Sequence, residues 1–259
     1  MGAPLTLRYG AASHVGRVRE HNEDAYLVLP EVGLAAVADG MGGHNAGDVA
    51  SRLTVDAIEA MFGDGSAPAS RGWRDLFRRR ATSGPGRLVE AIKRANKVVL
   101  STAQQRPECR GMGTTIVAFW VEPVASQMHF AHVGDSRLYR LRRGKLEALT
   151  EDHSLLNEYL RLGELTPGQA KHFPYKNIIV RALGLSPGVQ IDVESTQPEA
   201  GDIYLLCSDG LTDLVDDAKI RVQLATALDL DAAADALVEL ALEAGGLDNV
   251  TAVVAEVEA

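Results

Sequence analysis

Four aspartates in this chain share one placement. Asp39 follows an apolar run in AVADGMGGH, Asp135 ends the apolar run within FAHVGDSR, Asp209 ends that within YLLCSDGL, and Asp248 stands just before the apolar run of DNVTAVVAEV. A single Asp-Gly is a strong hairpin signal, and GDGSA at Asp64-Gly65, with no strand beside it, reads as an ordinary turn. Repetition changes the reading, because the strand ends of a sheet or sandwich can converge on one rim. Converging carboxylates repel, and one of them holds a proton unless a cation joins them. Ligand sets made only of oxygen favour Mg²⁺ or Mn²⁺ over zinc, which recruits His or Cys. Two such ions about 3.5–4 Å apart turn a bridging water into hydroxide near neutral pH and clamp a phosphoryl group for in-line attack. Gly40, after Asp39, then lets a backbone carbonyl or a water reach an ion.

A second stretch, REHNEDAYLV, fits the same chemistry. Alone it is a solvated charged loop. Beside a two-metal site, Arg19 is a bidentate phosphate clamp, and Glu23 and Asp24 are further oxygen ligands or hold metal-bound waters.

These residues need elements to hold them. Strand-like runs open the chain at LTLRYGAAS, DAYLVLP and VGLAAVAD, the last ending at Asp39. A helix follows from an Asn45 cap, with Ala46, Val49, Ala50, Leu53, Ala57 and Met61 on one face. A second helix, RLVEAIKRANKVVLSTAQQ, carries Leu88, Ala91, Ile92, Ala95 and Val99 on its stripe. The Gly-, Ser-, Pro- and Arg-rich stretch between them, about 63–87, reads as a loop or insertion. Strands return at GTTIVAFWVEP, SQMHFAHVGD and RLYRLRRGKLEAL. A polar helical segment, HSLLNEYLRLGELTPGQAKHF, precedes GVQIDVES and DIYLLCSD. Helices near 217–228 and 231–244, the second stopped by Gly245-Gly246, lead to a closing strand, NVTAVVAEVE. Grouped strands and paired helices indicate α+β with antiparallel sheets, in one domain. DGMGGH lacks the GxGxxG spacing of a dinucleotide site, and GMGTT lacks the Gly-Lys-Ser/Thr of a phosphate loop.

Composition bounds the function. The 259 residues are 46% hydrophobic and 24% charged, with a formal net charge of −9, the wrong sign for a nucleic-acid binder. Cys109 and Cys207 are too few for a disulfide framework, and Cys207, inside YLLCSDG, reads as a buried thiol. Neither is followed by the basic cradle of a cysteine-dependent phosphatase. No leader pattern or membrane-length apolar run is read, so the expected compartment is the cytoplasm.

The ordered set REHNED, VADGMGGH, GMGTT, HVGDSRLY, LTEDHS, LLCSDGL and DNVTAVV resembles the metal-dependent protein serine/threonine phosphatases of type 2C, in their compact bacterial form, from about 6 to 257. That resemblance implies a central β-sandwich of two antiparallel sheets flanked by antiparallel helix pairs, with the site at one end. It implies that Arg19 binds substrate phosphate, and that Asp39, the Gly40 carbonyl, Asp209 and Asp248 hold two Mn²⁺ or Mg²⁺ ions, with Glu23 and Asp24 close by. Asp135 matches the acid of a third, weaker site shared with Asp209. Residues 153–181 form a flap that shapes substrate choice. Many eukaryotic members place a histidine, the general acid, directly after Asp-Gly; here Met41 stands there, leaving His44, and beyond it His153, as candidates. The implied activity is hydrolysis of phosphoserine and phosphothreonine in proteins by a metal-bridged hydroxide, opposite a serine/threonine kinase, by a monomeric chain. Two other readings are a phosphoprotein-binding pseudophosphatase and a metal phosphohydrolase for small molecules.

Overall fold

The structure is a computed structural model and describes residues 5–42, 46–63, 84–122, 126–170, 173–175 and 178–258. The Asn45 cap, Asp64-Gly65 and most of the Arg-rich stretch lie outside them.

Two antiparallel sheets form the centre. In one, the order is β1 (Leu7–His14), β11 (Val250–Val257), β10 (Ile203–Cys207), β7 (Arg137–Arg142) and β8 (Lys145–Ala148). In the other it is β2 (Asp24–Leu29), β3 (Leu34–Met41), β5 (Ile116–Glu122), β6 (Gln127–Val133) and β9 (Asp192–Thr196), with β4 (Gly113–Thr114) paired to the end of β3. Side chains alternate across each strand, and here both faces are covered. Ala35, Val37, Val117 and Phe119 face Leu206, Tyr204 and Val253 of the other sheet. Their neighbours Leu34, Ala36, Ile116 and Ala118 face α1 (Ala46–Phe62) and α2 (Pro85–Gln105) through Ile58, Leu88 and Ile92. On the far side, Leu205, Cys207, Ala252 and Val254 pack on α6 (Asp217–Thr226) and α7 (Leu230–Glu243) through Ile220, Leu224 and Leu237. The fold is α+β, in four layers, as expected. Double coverage explains why strands such as IVAFWV read as unbroken apolar runs.

Local departures from the sequence reading have physical causes. The strand expected to stop at Asp39 runs on to Met41, because Gly40 and Met41 pair with Thr114 and Gly113 of β4. RLYRLRRGKLEAL is two strands, β7 and β8, joined at Arg143-Gly144, both with positive φ (52° and 76°), as a two-residue hairpin turn demands. Asp209 starts a four-residue helix, α5 (Asp209–Thr212). The 153–181 segment carries two short helices, α3 (Leu155–Arg161) and α4 (Pro167–Ala170). The Gly245-Gly246 stop holds: Gly246 N–H donates to Ala241 O at 2.9 Å. Both cysteines are buried and free. Among the described residues no helix is long and apolar enough to cross a membrane.

Helix α7 lies so close to β1 that a Cβ on Gly10 would sit 2.1 Å from the Leu230 carbonyl carbon. Gly10→Ala is therefore expected to cost about 1–3 kcal/mol of unfolding free energy. Gly86, in the first turn of α2, has nothing within 4 Å of its Cβ position, and Gly86→Ala is expected to stabilise by up to about 1 kcal/mol. Chemical denaturation of the two variants measures both signs.

Candidate metal centre

The strand ends do meet. Asp24 and Asp39 sit opposite each other in the β2–β3 ladder. Asp24 also reaches the other sheet, where its Oδ2 accepts from Ser208 Oγ at 2.8 Å and Thr251 Oγ1 at 2.7 Å. Ser208 precedes Asp209, and the Asp209 and Asp39 carboxyls act on each other's protonation. Asp135 follows β6, and its charge is felt at Asp39 and it feels that of Asp209. Asp248 precedes β11 and accepts from Arg19 Nη2 at 2.8 Å; both are partly exposed. Glu23 completes the group from the β2 side, its Oε1 accepting from Gly47 N–H at 3.2 Å. The sequence-expected acids thus gather at one end of the sandwich.

Crowding fixes the electrostatics. Burial first, then Asp24, Asp209 and Asp135, push the Asp39 carboxyl well above the usual carboxylate range. Burial raises Asp24 to about 7 despite its two hydroxyl donors, with Asp209 and Asp248 adding repulsion. Asp135 rises to about 7, through burial and Asp209, and Asp209 to about 6, through burial and Asp213. Burial also raises Glu23, against the pull of the Gly47 N–H and Arg19. A group of acids this unwilling to ionise together is what a hard cation stabilises. Two further observations fit one. Asp24 Oδ1 and Asp135 Oδ1 are buried with no hydrogen-bond partner, a rarity in native interiors unless a ligand completes them. Backbone also approaches unusually closely: a Cβ on Gly40 would lie 2.1 Å from Gly47 O and 2.6 Å from Glu23 O. Only glycine allows the β3 end, the Glu23 loop and the start of α1 to close together.

Sequence reading missed the residues that aim these acids. Thr115 Oγ1 accepts from Asp39 N–H at 3.0 Å, Thr114 Oγ1 donates to Asp39 O at 2.8 Å, and Thr115 Oγ1 pairs with Ser136 Oγ at 2.7 Å. GMGTT therefore clasps Asp39 and joins it to the turn bearing Asp135. Asn249 clips the Arg19–Glu23 loop to β11: Oδ1 accepts from Glu23 N–H at 2.8 Å, while Nδ2 donates to Val15 O at 2.8 Å and His21 O at 2.9 Å. The signal was present in the Asp-Asn and Thr-Thr pairs, but their partners lie up to 234 residues away. A cavity of about 420 Å³ opens beside Asp135 and Asp209, walled by Arg137, Asp152, Asn157 and Asp213. Arg137 is held there by Asp152, at 2.8 and 2.7 Å.

The histidine candidates separate. His44 lies outside the described residues. His153 is buried and pushed down to about 4, first by burial and then by His132 and Arg181. A ring neutral at pH 7 is poorly suited to deliver a proton to a leaving alcohol.

A profile of the protein phosphatase 2C family matches residues 12–241. The serine/threonine protein phosphatase PstP of Mycobacterium tuberculosis is 39% identical over 255 residues, which are 98% of this chain and 45% of that protein. The chain thus spans about half the length of that relative. The serine/threonine phosphatase stp of Listeria innocua is 37% identical over 244 residues, 93% of this chain and 92% of that one. A crystal structure of the PstP catalytic domain in complex with two manganese ions superposes with a TM-score of 0.82 at 36% identity, covering 98% of this chain and all of that one. The fold, the gathered acids and the extent of these matches agree: this chain belongs to the protein phosphatase 2C family.

Proposed function

We propose that this chain hydrolyses phosphoserine and phosphothreonine in proteins, aided by two Mn²⁺ or Mg²⁺ ions. The observation that carries the proposal is the gathering of Asp24, Asp39, Asp135, Asp209 and Asp248 at one rim, with unpartnered buried oxygens among them. Asp39, the Gly40 carbonyl, Asp209 and Asp248 hold the ion pair, with Glu23 and Asp24 orienting what surrounds it. Asp135 and Asp209 form a third, weaker site. The ions, when bound, lower the pKa of water enough to make a nucleophile at neutral pH and neutralise phosphate charge. Arg19 meets the phosphate at the exposed edge, where its guanidinium already faces an acidic partner. The cavity beside Asp135 receives the peptide around the phosphoresidue, with residues 153–181 as its flap. The substrates are phosphoproteins, the catalytic domain is the single unit 1–259, and it works as a monomer in the cytoplasm opposite a serine/threonine protein kinase. Phosphate release from phosphopeptides in the presence of Mn²⁺, set against nucleotides and p-nitrophenyl phosphate, tests the activity; no release from any of them would sink it.

Arg19→Ala is expected to raise the phosphopeptide KM by about 10–100-fold, the value of a charge-assisted hydrogen bond, without changing Mn²⁺ affinity by calorimetry. An unchanged KM removes the clamp. Asp39→Asn is expected to lower kcat by more than about 100-fold and yet raise the Tm of the metal-free protein, because it removes a buried carboxyl that must either repel its neighbours or take up a proton on folding. A fall in metal-free Tm would contradict the electrostatic account.

The pH dependence follows with a definite sign. Asp24, Asp135 and Asp209 titrate at about 7, 7 and 6 in the fold, against about 3.9 in an unfolded chain. Between these values the folded protein binds more protons than the unfolded one, so metal-free stability falls as pH rises from about 4 to 7. Cations replace those protons. Differential scanning fluorimetry is expected to show a larger Mn²⁺-induced Tm gain at pH 7.5 than at pH 5.5; equal gains would contradict the account.

A further inference from the structure

Residues 153–181 leave and rejoin the sandwich at one place. Ser154 and Ile179 form an isolated antiparallel bridge. Leu155 N–H donates to Ile178 O at 2.8 Å, and Val180 N–H to His153 O at 2.8 Å. The two ends are thereby tied to each other, and His153 ties both to the turn that carries Asp135. Its backbone N–H donates to Gly134 O at 2.9 Å, and its Nδ1 accepts from Gly134 N–H at 3.1 Å. One residue therefore takes both backbone polar groups of Gly134. That turn has little other freedom: Gly134 has φ 108°, and a Cβ there would sit 2.6 Å from the Thr115 side chain.

The ring is held from several sides. An accepting Nδ1 assigns the proton of the neutral ring to Nε2, which faces Asp192 Oδ2 at 3.3 Å. Arg181, at the far end of the segment, reaches the same carboxylate, Nη1 to Oδ1, at 3.1 Å. His132 stacks on His153 with centroids 4.5 Å apart and donates Nε2–H to Glu151 O at 2.8 Å. His132, His153 and Asp192 bring ligand atoms within 4.8 Å of one another, which raises the question of a metal there. The assignment of Nδ1 argues against it. A cation would meet the Nε2 proton of His153 and the Arg181 guanidinium, whose Nη1 is 3.2 Å from Nε2. The cluster is a brace.

The geometry points to His153 as a positioning residue. It locks the Gly134–Asp135 turn to the base of the 153–181 segment, so that the reach of Asp135 toward a cation and the placement of that segment change together. This rests on the reading of Asp135 as an outlying cation ligand.

Mn²⁺ binding to the purified protein, followed by calorimetry and electron paramagnetic resonance, tests the lock beside Tm and amide hydrogen exchange. His153→Ala is expected to weaken the outlying Mn²⁺ site by at least about tenfold and leave the two tight sites unchanged. Exchange at 134–135 and 154–160 is expected to rise together. His153→Asn, whose Oδ1 can accept from Gly134 N–H in place of Nδ1, is expected to recover most of the outlying affinity although it loses the stacking on His132. Asp192→Asn, which loosens the ring without touching Gly134, is expected to give a smaller loss in the same direction. If Ala and Asn variants lose Tm equally and bind Mn²⁺ as the native protein does, the lock is overturned and His153 is only structural. Asp135→Ala separates the two levels. If it leaves the outlying site intact, the reading of Asp135 fails and the lock with it. If it removes that site while His153→Ala does not, the lock alone fails.

Discussion

Mutual repulsion among buried carboxylates is the constraint around which this end of the molecule is organised. Asp24, Asp39, Asp135 and Asp209 each lose hydration on folding, and Asp39 is raised by the charges of the other three. Water would relieve that strain, but the sandwich closes over Asp24 and Asp135, which are 8% and 7% exposed. Protons relieve it in the metal-free protein, where the Asp39 carboxyl holds its proton well above the usual carboxylate range. Divalent cations, in the proposed function, relieve it at neutral pH while supplying the reactivity. The end of the fold that destabilises the metal-free protein is thus, in the proposed function, the end that takes up the metal, a familiar opposition between stability and activity.

Holding repelling groups together requires rigidity from elsewhere, and the four-layer packing provides it. Both faces of the central strands are buried, so these strands cannot slip without moving a full set of side chains from one core into another. Phe119 and Tyr204, in contact between the sheets, are fully buried; each such side chain contributes on the order of 1.5–3 kcal/mol. The polar scaffold then converts that rigidity into direction. Asp24 is held from the opposite sheet by Ser208 and Thr251. Asp39 is gripped through its backbone by Thr114 and Thr115, which leaves its carboxyl free to face the others.

How much of this was legible in sequence depends on range. The strands were readable because apolar runs bounded by Asp-Gly persist whatever covers them. The acids stood out because four of them share a place relative to those runs. The register was not readable. Double burial erases the alternation of apolar and polar residues that would fix which face a side chain takes, and the β3–β4 pairing that carries the strand past Asp39 joins residues more than 70 apart. The Asn249 clip and the His153 brace were invisible for the same reason. An asparagine or histidine in a loop has many possible partners, and only the closed fold selects Glu23 or Gly134. Local chemistry names candidates; long-range hydrogen bonds decide how they point.

The proposed phosphate clamp shows why that distinction matters. Arg19 and Asp248 form an ion pair with side chains 54% and 38% exposed, and pairs this open contribute only about 0–1 kcal/mol. The Asp248 carboxylate keeps the guanidinium extended toward the rim, limiting the rotamers it must give up on binding. An arriving phosphate therefore meets a cation already placed, and exchanging one anionic partner for another costs little. A half-buried pair such as Arg137–Asp152, with two short bonds and side chains 29% and 16% exposed, could not be exchanged so readily, because separating it would leave two charges less well hydrated. The same two residue types thus serve as wall and as clamp, and exposure to water separates the roles.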